Sequence, residues 1–276
     1  MTAIQSNTFR NTLIIAVFEC QKFLFNRRGI VALIAFALVW GMILLYPIKG
    51  ATNLLVQPNF KDFIDSVLGS QALNKLFEWP VAEMAIFWCF ALYLFPMFSI
   101  MISADQFASD KTRGTLRFFT FRTSRDSLLL GRFLGQILLQ SILILLTILA
   151  AIVLAMSRDA ALVLPAINSG VMVGLNLLIV ILPFTAVMAV LSLCARSARQ
   201  AMIWATILWT VLSFVQLFIG EQSLLNTVFD WLMPGSQLSQ MLNNTAAASF
   251  SFAPIPLIQA AVALLLGRVY LQRSQL

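Results

Sequence analysis

Residues able to do covalent chemistry are few and scattered. Histidine is absent, and Cys20, Cys89 and Cys194 each stand alone in or beside an apolar run, with no Cys-x-x-Cys pair. That argues against a zinc or haem site and against a histidine-based triad; the cysteines are expected to be small buried hydrophobes. No Gly-x-x-x-x-Gly-Lys-Ser/Thr string occurs, so the glycine-rich cradle that ATP phosphates need is missing. The chain is therefore expected to be no enzyme and to bind no cofactor of its own. Charge concentrates instead in Ser109 to Asp126, SDKTRGTLRFFTFRTSRD, which holds two aspartates, a lysine and four arginines between long apolar runs. Such groups suit ion pairing and docking rather than bond breaking.

The spacing inside this segment predicts a device. Leu116 and Phe119 stand at i, i+3, and Arg113 and Arg117 at i, i+4, so a short helix would show a greasy ridge and a basic side. Gly114 permits a tight turn. Ser124 fits a helix N-cap, with Asp126 in the first turn after it. Gly131 and Gly135 follow four residues apart, a spacing that suits close helix packing. A solvated basic loop explains the arginines. It does not explain Leu116, Phe118, Phe119 and Phe121, which either lie on a membrane interface or dock into another protein.

The elements that must position this segment are long and apolar. Of 276 residues, 60% are hydrophobic and 11% charged, and the mean hydropathy is +0.90. Soluble domains carry roughly a quarter charged residues, so the composition is that of a membrane protein. Six runs are long enough to span: about Gly29 to Ile48, Val81 to Ser103, Leu128 to Met156, Ala166 to Leu193, Met202 to Ile219 and Ala253 to Leu271. Pro96, Pro183, Pro254 and Pro256 inside them are tolerated in a bilayer. The first run is longer than a signal-peptide core and lacks a cleavage pattern after it.

With a cytoplasmic N-terminus, the 18 cations divide 14 to 4, the four being Lys49, Lys61, Lys75 and Arg158. The positive-inside rule then puts both termini and the charged segment in the cytoplasm. The net +7 is mostly this asymmetry and is no nucleic-acid signal.

Amphipathic pieces flank the spans. In NTFRNTLIIAVFECQKFLFNRRG, Leu13, Val17 and Leu24 share a face with Phe18 and Phe25 beside it, opposite Asn11, Glu19, Lys22 and Asn26. This predicts a helix in the cytoplasmic interface. Phe60, Phe63, Ile64, Val67 and Leu68 form a second pattern at helical spacing. Leu224, Leu225, Val228, Phe229 and Leu232, stopped by Pro234-Gly235, form a third. It is too short to span and is expected to be an outer re-entrant helix. The organisation expected is an interfacial helix over 1–28 and a six-span domain over 29–276. Its coupling loop is 104–127, and its outer loops are 49–80, 157–165 and 220–252.

The string from Asp110 to Gln136, DKTRGTLRFFTFRTSRDSLLLGRFLGQ, resembles the signature of the type-2 ABC exporter permeases, nearest the subgroup named for multi-copper enzyme maturation. The shared pieces are Gly114-Thr115-Leu116, Ser124-Arg125, Leu128 to Leu130 and Gly131-Arg132-Phe133-Leu134-Gly135. Asp110-Lys111-Thr112-Arg113 stands where Glu-Arg is common before the glycine, and Arg132 where lysine is common. The layout of the whole chain agrees with the family. It is an all-α polytopic membrane protein with six transmembrane helices, an N-terminal interfacial helix, a cytoplasmic coupling helix and a short outer re-entrant helix.

The resemblance implies a permease subunit of an ATP-binding cassette exporter in a bacterial cytoplasmic membrane. ATP and Mg would sit on a separate cytosolic ATPase subunit, and a second permease copy would complete a dimer. It implies a docking surface of Gly114, Thr115, Leu116, Arg117, Phe118 and Phe119, with Asp110 and Arg113 holding the loop. On that basis Leu116→Asp is expected to abolish coupling while leaving folding intact.

A pathway would be marked by polar residues within the spans. The candidates are Gln136, Gln140, Asn176, Thr206, Thr210 and Ser213, with Ser169 on the fourth span, against the plainer role of helix–helix hydrogen bonding. Glu83 is expected to reach the outer interface. Few charges within the spans favour a lipid-like, peptide-like or amphipathic substrate. Two rival readings are a membrane anchor, assembly or immunity factor, and an ATP-independent transporter. The latter should show internal repeats and midplane acids, and neither is found.

Overall fold

The computed structural model describes residues 8–55, 78–116, 118, 123–218 and 224–273, and among them the regular structure is helical with no strand. Helix α1, Thr8–Phe25, is followed after Asn26 by α2, Arg27–Ile43. α2 continues through a π turn, Leu44–Ile48, into α3, Lys49–Leu55. Then come α4, Ala82–Ser103, the short α5, Ala108–Thr112, and the long α6, Arg125–Arg158. A 3₁₀ turn leads to α7, Val163–Cys194, and α8, Ala198–Phe218, follows. The chain closes with α9, Leu224–Leu232, α10, Leu238–Leu242, and α11, Pro254–Arg273.

Among the described residues, six helical stretches are long and apolar enough to cross a membrane, and they coincide with the six runs expected. The chain is a multi-pass membrane protein. The boundaries differ where local chemistry intervenes. The first span does not stop at Ile48. Pro47 lacks an N–H, so the ladder widens into the π turn, and the helix resumes to Leu55. The third and fourth spans run closer to each other than expected, separated only by Asp159 and the 3₁₀ turn Ala160–Leu162.

α7 is the central post. Of its span's most apolar stretch 61% is buried, against 11% for α8, which lies at the periphery. Phe36, Trp40, Leu44 and Ile48 form a buried seam on the first span and meet Phe87, Trp88, Leu92 and Phe95 of α4. The Trp40 and Phe95 rings stack with centroids 5.1 Å apart. Leu177, Ile181 and Phe184 of α7 complete this core.

Close approach of α1 to α6 rests on two absent side chains. A Cβ at Gly131 would fall 2.7 Å from Ile15 Cβ, and one at Gly135 would fall 2.9 Å from the Ala16 carbonyl oxygen. The small residues Thr12, Ala16 and Cys20 are buried on α1, while Leu13, Ile14, Val17 and Phe18 are exposed. The greasy ridge read from the sequence thus points away from the bundle.

α9 forms where expected and ends before Pro234 and Gly235. Gln259 Nε2 of α11 donates to the Trp231 and Met233 carbonyls at 3.1 and 3.0 Å, satisfying the end of that helix. The pattern of Phe60, Phe63, Ile64, Val67 and Leu68 lies outside the described residues.

Candidate functional site

The charged loop is built as a short helix lashed to the ends of two spans. At its start, the buried Ser192 hydroxyl of α7 accepts from the Phe107 and Ala108 backbone N–H groups at 2.8 and 3.1 Å. The Asp105 carboxylate accepts from the Ser109 N–H at 3.0 Å. Together these occupy donors that the start of α5 would otherwise leave unpaired. Lys111 Nζ then donates to the Leu193 and Cys194 carbonyls at 2.7 and 3.3 Å. A cation on the last carbonyls of α7 also complements the helix dipole. Thr112 Oγ1 reaches the Arg196 carbonyl just beyond.

α5 ends in a Schellman turn. Thr115 N–H bonds the Asp110 carbonyl at 3.0 Å and Gly114 N–H the Lys111 carbonyl at 3.1 Å, with Gly114 at φ +70°. That left-handed conformation is the reason for a glycine here. Thr115 Oγ1 adds a bond to Asp110 Oδ1 at 3.1 Å.

Behind the loop lies Arg132, 2% exposed. Its guanidinium pairs with Asp110 Oδ2 and donates to the Gln106 carbonyl. Nε lies 3.5 Å from Glu19 Oε1 on α1, and the Phe107 ring sits 4.9 Å away. A buried guanidinium needs such company, since an unpaired charge in a low-dielectric interior is strongly unfavourable. One arginine therefore joins α1, the loop and α6.

The loop's exit is moored as firmly. Ser124 Oγ accepts from Ser127 N–H at 3.1 Å, the N-cap expected from sequence. Asp126 takes a bidentate pair from Arg268 at 2.8 and 3.0 Å. Arg125 donates to the Leu271 and Gln272 carbonyls at 2.7 and 2.8 Å, at the end of α11. The loop thus hangs between the ends of α7 and α11.

One expected docking residue is placed differently. Leu116 is 1% exposed and packs with Phe107, Leu128, Leu129, Leu193 and Leu271. Its side chain is the plug that seats the loop on its own bundle, so it is unavailable to a partner in this conformation, and Leu116→Asp would damage folding. Phe118 is 72% exposed. Thr112, Arg113 and Gly114 are exposed and Thr115 half-buried. Asp110 holds the loop through Arg132 and Thr115. Arg113 instead lines a cleft of about 230 Å³ with Glu19, Lys22, Asp105 and Gln136. Arg117 and Phe119 lie outside the described residues.

The polar residues of the spans separate into groups. Gln140 Nε2 donates to Ser103 Oγ and Thr185 Oγ1, both at 3.2 Å, and Thr185 meets Ser99 Oγ at 2.8 Å. These bonds join α4, α6 and α7. Asn176 Nδ2 donates to the Met172 and Ala246 carbonyls at 2.9 and 2.7 Å. Ser169 is buried on α7. Gln136 borders the cleft beneath the loop. Thr206, Thr210 and Ser213 lie on an exposed face of α8. Glu83 does not reach solvent. It is 2% exposed and paired with Arg158.

Sequence reasoning missed Arg132 and Glu19 as parts of this site. The available signal was a lone arginine inside an apolar run, which at membrane depth demands a partner.

A comparison with curated proteins finds no match. A family model described as "ABC-2 family transporter protein" matches residues 13–274. That is nearly the whole chain, including most of α1, all six spans and the moored loop, and the chain belongs to this family of ABC transporter membrane subunits.

Proposed function

We propose that this chain is the permease of an ATP-driven exporter in a bacterial cytoplasmic membrane, working as a dimer with a cytosolic ATPase docked on its charged loop. ATP and Mg belong to that partner. Both termini are cytoplasmic, α1 lies in the interface with Leu13, Val17 and Phe18 toward lipid, and α9 dips in from the outer side. The substrate is lipid-like, peptide-like or amphipathic.

The observation that carries this reading is the double mooring of the loop. Lys111 ties its start to the end of α7, and Arg125 and Asp126 tie its exit to α11. A force applied to exposed Phe118 and Arg113 is thereby delivered to the central post and to a second span without slack. A loop that served only to hold a partner would have no need of rigid links to two spans.

The test is ATP hydrolysis by the co-purified complex in lipid. Turnover that responds to substitution of Phe118 or Lys111, with the complex still assembled in the Lys111 variant, supports coupling. Turnover indifferent to both favours an anchoring role.

A further inference from the structure

At the far end of α6 from the charged loop, Lys49, Thr52, Asn53, Glu83, Ser157 and Arg158 surround a cavity of about 190 Å³. Part of its lining is the bidentate pair of Arg158 and Glu83, with Nε to Oε1 at 2.8 Å and Nη2 to Oε2 at 3.0 Å. Glu83 is 2% exposed, so this pair is fixed. It uses two of the five guanidinium N–H groups, both on one edge. The three that remain, on Nη1 and the far side of Nη2, are free of Glu83.

Two further donors have nothing to bond among the described residues. Thr52 is 2% exposed, and its buried Oγ1 has no hydrogen-bond partner. Buried hydroxyls are ordinarily satisfied. Lys49 is exposed and forms no ion pair among the described residues. Lys49 and Arg158 against Glu83 leave the pocket one positive charge in excess. A singly charged anion balances it.

Depth and size narrow the ligand. α6 has 34 residues and so extends about 51 Å. The hydrocarbon core of a bilayer is about 30 Å thick, so the Arg158 end of a helix this long reaches the headgroup layer. The cavity is smaller than the roughly 300–1,000 Å³ of sites for whole small molecules, and suits one polar group. The lining donors come from two helices, Lys49 and Thr52 from α3 and Arg158 from α6, and a phosphate, with more acceptor oxygens than a carboxylate, can take bonds from all three.

We propose that this pocket binds a singly charged phosphate group, held by Lys49 and the unspent edge of Arg158 with Thr52 donating to one of its oxygens. The group comes either from an anionic phospholipid headgroup or from free phosphate. The site is separate from the charged loop and does not depend on how that loop is driven.

The test uses the full chain in detergent, by native mass spectrometry with phosphatidylglycerol or phosphate-free diacylglycerol of identical acyl chains, and by thermal unfolding with inorganic phosphate. Wild type should retain phosphatidylglycerol about tenfold better, the worth of one charge-assisted contact. Lys49→Gln/Thr52→Val should lose that preference. Should the double variant fold poorly, Lys49→Gln alone, at an exposed position, serves the comparison. Lipid preference without an effect of inorganic phosphate identifies the headgroup as the source, and stabilisation by phosphate at millimolar concentration identifies the free ion. Equal retention of the two lipids with no phosphate effect, or a preference unchanged in the variant, overturns the proposal.

Discussion

Arg132 on the third span and Asp110 in the loop before it form an ion pair across 22 residues of chain, with the arginine 2% exposed. The pair fixes α5 against α6, and Glu19, 3.5 Å from Nε of the same guanidinium, adds α1 to the assembly. Three elements thus share one buried charge. Removing either end leaves the other without its main partner.

Replacing Arg132 by Gln should therefore destabilise the chain strongly, by about 3 kcal/mol, read as a lowered thermal midpoint in detergent. Asp110→Asn should cost less, because its side chain is partly exposed. Combined, the two should be non-additive by about 1 kcal/mol or more. Additive losses would show that the pair is not coupled.

Leu116 and Phe118 should respond oppositely to the same change. Leu116→Asp puts a carboxylate among Phe107, Leu128 and Leu193 and should lower the folded yield and thermal midpoint, by several kcal/mol for an unpaired buried charge. Phe118→Asp, at an exposed position, should leave both unchanged and weaken capture of the ATPase. Size-exclusion profiles and co-purification separate the two effects.

Gly114 should tolerate substitution according to backbone preference, not space. A Cβ there meets nothing within 4 Å, but φ is +70°. Gly114→Ala should cost about 1 kcal/mol of local stability, and Gly114→Asn less, since asparagine visits that region more readily. Hydrogen exchange of the 108–116 amides reads the difference.

Gly135 and Gly41 offer a matched contrast. A Cβ at Gly135 meets the Ala16 backbone at 2.9 Å, whereas one at Gly41 meets nothing within 4 Å. Gly135→Ala should push α1 off α6 and lower the thermal midpoint. Gly41→Ala should be neutral or stabilising by up to about 1 kcal/mol through helix propensity. Equal effects would contradict the close packing of α1.

The parts of this fold that sequence discloses are those set by local rules. Six spans follow from apolar length alone, the cap at Ser124 from residue type and position, and the Gly131–Gly135 spacing from the need for close approach. What sequence leaves open is direction. A leucine beside arginines can point outward to a partner or inward to its own bundle, and only the placement of Phe107, Leu193 and Leu271 turns Leu116 inward. Arg132 reads as one more cytoplasmic cation until Asp110 and Glu19 are found around it. Glu83 reads as interfacial until Arg158, 75 residues later, closes on it. Each of these depends on contacts distant in the chain, which no local pattern encodes.

Docking of an ATPase on the charged loop is tested most directly by one comparison. The tagged chain and an Arg113→Glu/Phe118→Asp variant would be purified from native membranes in mild detergent, and the co-eluting proteins identified. A P-loop ATPase that accompanies the wild type and is lost from an equally monodisperse variant is the result expected. The same ATPase in both eluates, or none in either from well-folded protein, would contradict docking at this loop.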